Sequence, residues 1–138
     1  MNPYSFLPFV AFVLNACLLA YVCGRGLKTE LQKALFWLLI CITGWALFDF
    51  LIWNMGSYST TTVMLMYKLQ MPCYFFIGAL LLSCVHKMLK INPGWYCRWI
   101  FVWPVLATLV GWFFPYVTEG YFKTFWGIMH EAGPLFYL

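Results

Sequence analysis

Residues 34–53 read ALFWLLICITGWALFDFLIW. Asp49 is the one charge in that run. At a rise of 1.5 Å per residue, a helix of this length reaches about 30 Å, the thickness of a bilayer's hydrocarbon core. The stretch therefore reads as a membrane span.

Outward from it, three more runs have the same character. They cover about residues 4–23, 63–85 and 99–117, and breaker clusters separate the runs. Gly24-Arg25-Gly26 ends the first, Asn54-Met55-Gly56 the second, and Asn92-Pro93-Gly94 follows the third. Residues 121–130 form a mixed aromatic stretch, read as an interfacial loop or a short amphipathic helix. From Gly133 the chain turns apolar again, like the opening of a fifth span. The expected fold is all-α: a polytopic transmembrane bundle of four spans, an interfacial segment and a partial fifth span within 121–138. It forms a single domain over residues 1–138.

Composition agrees. The chain is 64% hydrophobic and only 9% charged, whereas a soluble domain carries about 25% charged residues. Lipid must be the solvent for most of it. The start, Met1-Asn2-Pro3-Tyr4, lacks the positive region of a signal peptide, so the first run reads as a retained span.

Six of the eight basic residues fall in two short stretches. Arg25, Lys28 and Lys33 follow the first span. Lys87, Lys90 and Arg98 follow the third. The loop after the second span has none, and the region after the fourth has only Lys123. The positive-inside rule puts both basic loops in the cytoplasm and the N-terminus outside. A net charge of +4 divided between two loops argues against a nucleic-acid face. The six cysteines lie mostly within apolar runs and have neither disulfide-framework nor zinc-site spacing. No cofactor is implied. There is no nucleophile–base arrangement, metal motif or phosphate loop, so the sequence predicts no enzyme.

Two charges fall outside the loops. An ionisable side chain at membrane depth costs several kcal/mol on insertion scales, and by default it marks a functional site. Asp49 lies about one turn from the end of the second span, and Lys68 one to two turns into the third. Neighbouring antiparallel spans put both at similar depth, so an Asp49–Lys68 ion pair is expected. Such a pair can pin the hairpin register or hold a ligand, and Lys68 can alternatively snorkel to the surface. Trp45, Asp49 and Trp53 share one helix face, and Tyr67, Gln70 and Tyr74 share another. The candidate ligand site is therefore Asp49, Lys68 and Gln70, with Trp45, Trp53 and Tyr74 as walls. Ordinary helix packing with an aromatic belt explains the same spacing. Pro72 predicts a kink in span three. Asn15, Thr43, Ser83 and Thr108 read as interhelical hydrogen-bond glue, and Gly44, Gly78 and Gly111 as close-approach positions.

Together these features resemble a known family. Trp45-Ala46-Leu47-Phe48-Asp49, Tyr67-Lys68-Leu69-Gln70, His86-Lys87 before a Lys-Ile-Asn-Pro turn, and Gly133-Pro134-Leu135-Phe136 occur in the order of its motifs. The family is the N-terminal seven-helix sensor region of bacterial membrane histidine kinases, of which this chain resembles the first four to five helices. The resemblance implies a sensory input module in the bacterial inner membrane. It would detect a small lipophilic signal and pass it to a downstream kinase or other signalling domain beyond this chain. The expected partners are the lipid bilayer, that ligand, the effector and a second copy in a homodimer. The alternative is a non-sensory membrane subunit, an assembly factor or a transporter fragment. A transporter would be expected to repeat its spans, and spans one and two do not mirror three and four in polar placement.

Overall fold

The computed structural model describes residues 3–54, 60–91, 94–95, 99–113, 118–124 and 127–132. A single 3-10 turn, Pro3–Ser5, leads into helix α1, Phe6–Arg25. Helix α2 is Glu30–Asn54, α3 is Thr60–Met88 and α4 is Val102–Phe113. Strands β1, Thr118–Thr124, and β2, Gly127–Ala132, follow.

α1, α2 and α3 are each long and apolar enough to cross a membrane. The 25 residues of α2 reach about 37 Å. Over its described residues α4 has 12 residues, about 18 Å, less than the thickness of the hydrocarbon core. The rest of the predicted fourth span, residues 114–117, lies outside the described residues, as does the expected fifth-span start at 133–138.

α2 begins four residues before the apolar run does, and local chemistry explains why. Thr29 Oγ1 accepts a hydrogen bond from the Gln32 N–H at 3.2 Å. Gln32 Oε1 accepts in return from the N–H groups of Lys28 and Thr29, both at 2.9 Å. This capping box satisfies donors that the helix start leaves open. α1 ends at Gly26, whose φ of 79° suits a residue without Cβ and whose N–H reaches Cys23 O at 3.0 Å.

The helices pack as antiparallel neighbours in chain order. α1 meets α2 through Phe9 and Phe50, ring centroids 5.2 Å apart, and through Tyr4 and Trp53 at 6.4 Å. Fully buried Ser5 donates to Asn54 Oδ1 at 3.4 Å. α2 meets α3 along its whole length. One end of that seam holds Ala34, Leu38 and Cys84, backed by Leu35, Ile77 and Leu80. The other holds Val63 against Leu51, Met66 and Tyr67. Between them the Cys73 side chain packs directly on Gly44, where a Cβ would sit 2.9 Å from Cys73 Sγ. At Gly111 on α4, a Cβ would overlap the thioether of Met71 on α3. Large apolar side chains such as Leu7, Leu14, Tyr74 and Trp103 point outward, as expected of a bundle solvated by lipid.

Two expectations need correction. The described residues of 118–132 form neither an amphipathic helix nor a plain loop. β1 and β2 pair antiparallel, with Tyr121 opposite His130 and Lys123 opposite Ile128, and the register shifts between Thr118 and Gly120. Thr118, Tyr121, Phe122 and Thr124 of β1 are residue types that favour strands, and β2 runs close to α2. The second correction concerns the interhelical glue. Asn15 donates to Ala11 O at 2.7 Å and Thr108 to Pro104 O at 2.7 Å, each within its own helix. Thr43 Oγ1 is buried without a partner among the described residues, and no bond from Ser83 to another helix is present among them. Short side chains reach their own helix's carbonyls more readily than a neighbour's.

Gly44→Ala should lower the thermal unfolding midpoint of the chain in nanodiscs, by an overpacking cost of about 1–3 kcal/mol. Adding Cys73→Ala, which removes the opposing sulfur, should restore most of the loss. Gly44→Ala with no effect on the midpoint would contradict the close α2–α3 approach.

Candidate functional site at the α2–α3 seam

Antiparallel packing sets two helical turns face to face. Asp49 lies opposite Gln70, whose Nε2–H donates to Asp49 Oδ1 at 2.5 Å. One turn along, Trp45 lies opposite Tyr74, with ring centroids 6.1 Å apart in an edge arrangement. Both steps are i to i+4, so on each helix the polar and the aromatic residue stack on one face. Gln70 is only 7% exposed, whereas Trp45 is 37% and Tyr74 59% exposed. The seam is thus closed at the amide and open to the side at the rings. It unites four of the six predicted site residues.

Lys68 and Trp53 are elsewhere. The expected Asp49–Lys68 ion pair does not form. Lys68 Nζ instead donates to Trp112 O on α4 at 3.0 Å. Lys68 and Gln70 are two residues apart, which on a helix is about 200° of rotation. With Gln70 against α2, Lys68 is carried round to α4. Trp53 packs on Tyr4 at the start of the chain, so it walls the α1–α2 contact rather than this seam.

Sequence reasoning missed Trp112. Its indole Nε1–H donates to Lys68 O at 2.7 Å. In an unbroken helix that carbonyl would accept from the N–H of residue 72, but residue 72 is proline and has none. Lys68 and Trp112 therefore exchange two bonds, and the indole fills the acceptor that Pro72 has left open. The signal available in sequence was Pro72 four residues after Lys68. It announces an open carbonyl without saying which donor fills it.

The far end of the same hairpin is held by charge. Lys33 Nζ lies 2.7 Å from Glu30 Oε1. Lys87 Nζ lies 3.6 Å from Glu30 Oε2 and donates to Glu30 O at 3.2 Å. Lys33 and Lys87, one from each basic cluster, thus converge at one end of the bundle. These contacts are exposed, and such pairs contribute little to stability. Their value is positional, since they set the end of α3 against the start of α2.

No family model matches the chain, and neither a characterised protein nor a solved structure matches it.

Three mutant cycles check this geometry by reversible unfolding in bicelles. Trp112→Phe should cost about 1 kcal/mol, in the range of interhelical hydrogen bonds in membranes. In a Pro72→Ala background the cost should fall toward zero, because the alanine returns an N–H to Lys68 O. In the second cycle, Asp49→Asn and Lys68→Met should be additive, whereas in the third, Asp49→Ala and Gln70→Leu should couple. Coupling between positions 49 and 68 instead would restore the ion pair.

Proposed function

We propose that this chain is the membrane-embedded input module of a sensor that detects a small lipophilic molecule. The observation that carries the reading is the α2–α3 seam. It holds a carboxylate–amide contact at membrane depth, beside an aromatic pair that opens sideways toward lipid. A polar contact in that position marks a functional site by default. Sideways access suits a ligand that has already partitioned into the bilayer. The resemblance to the seven-helix sensor region of bacterial histidine kinases points the same way. Under it, the membrane is the bacterial inner membrane and the partner is a downstream kinase or other signalling domain.

Orientation follows from charge. The end of the bundle that gathers Lys28, Lys33 and Lys87 faces the cytoplasm in this reading, and the N-terminus and the α2–α3 turn face outward. α3 is then the moving part. It is bonded to α2 through Gln70 and to α4 through Lys68, and its far end meets Glu30 through Lys87. A ligand that binds Asp49 beside the Gln70 amide changes one of these contacts on α3. It shifts the helix only to the extent that it binds the two arrangements with different affinity.

The full chain in nanodiscs, challenged with decyl amphiphiles of differing headgroup charge, tests this. Unfolding is followed with a thiol-reactive dye that reports exposure of buried Cys84. At least one amphiphile should raise the midpoint saturably, by several degrees, since ligands of the folded state stabilise it. Gln70→Leu should remove the rise. A wild-type chain that responds to none of them, or an undiminished response in Gln70→Leu, would overturn the reading.

A further inference from the structure

The carboxylate at the seam has no cation of its own. Among the described residues, Asp49 forms no ion pair, and the lysine at its depth is engaged by α4. Gln70 occupies Oδ1, and no partner reaches Oδ2 among the described residues. A carboxyl group at membrane depth is stable either neutral, carrying its proton, or ionised beside a positive group, and a cation that reaches it stabilises the ionised form. One turn away stand Trp45 and Tyr74, the two ring types whose faces attract cations most strongly. Their spacing from Asp49 and Gln70 is that of i, i+4 neighbours, about 5–6 Å between Cβ atoms. Both rings are exposed at the side of the bundle, where a molecule arriving through the bilayer would first meet them.

We infer that the seam selects a lipophilic cation, an ammonium group carried on an apolar tail. Its positive head lies at Asp49 Oδ2 against the Trp45 and Tyr74 rings, and its tail runs out past the exposed sides of these rings into lipid. A neutral lipophile of equal length gains the tail's burial but neither the carboxylate nor the ring attraction. In a low-dielectric setting that difference is large, because unscreened charge interactions strengthen as the dielectric falls. A lipophilic anion is repelled. The inference rests on the sensor reading of this same seam and adds the sign of the ligand's charge.

Three probes with the same tail separate the two readings: decyltrimethylammonium, decanol and decyl sulfate, each added to the full chain in phosphatidylcholine nanodiscs. Empty nanodiscs supply the partitioning background. The ammonium probe should bind saturably and at least tenfold more tightly than decanol. Asp49→Asn, which keeps an oxygen acceptor for Gln70, should abolish the advantage, and Trp45→Leu should reduce it several-fold. Equal saturable binding of ammonium and alcohol, both lost in Gln70→Leu, would overturn the charge selectivity while leaving the lipophile sensor intact. Retention of the ammonium advantage in Asp49→Asn would overturn the assignment of Asp49. Saturable binding of no probe would overturn both the selectivity and the site.

Discussion

The carbonyl of Lys68 has no helical donor because Pro72 carries no N–H, and within a bilayer there is no water to provide one. The Trp112 indole fills the gap from the neighbouring helix. That single requirement brings α4 onto α3 at a defined height and rotation. In the same contact the Lys68 ammonium donates to the Trp112 carbonyl. With Lys68 turned to α4, Asp49 is left to Gln70.

α3 is thereby divided by face. One side, with Val63, Gln70 and Cys84, packs on α2. Lys68 and Met71 meet α4. The α2 side combines a polar contact near one end, a close Gly44–Cys73 approach in the middle and charged contacts on Glu30 at the other end. An element held by separate, individually modest contacts can exchange one without losing the rest.

Much of the fold was legible in the sequence. The three long helices fall where the apolar runs are, and their ends lie within a few residues of the breaker clusters. The early start of α2 was not legible from hydropathy, because the residues of its first turn are polar and are held by the Thr29–Gln32 capping box. The β1–β2 hairpin was missed because its mixed aromatic composition suits a helix at an interface as well as a strand. At the candidate site, Asp49, Gln70, Trp45 and Tyr74 were legible from i, i+4 spacing on two adjacent helices. The error lay in pairing Asp49 with Lys68, since equal depth was treated as adjacency.

The sequence by itself determined the solvent of this protein, the positions of its long helices and the end of the bundle that carries its charge. Those properties follow from transfer of side chains between water and lipid, which acts residue by residue along the chain. Only the tertiary structure decided which polar group met which. Each residue along a helix turns the side chain by about 100°. A partner two positions away therefore faces a different neighbour, and helix rotation is settled by all the contacts together. Asp49 has Gln70 and Lys68 has Trp112 for that reason.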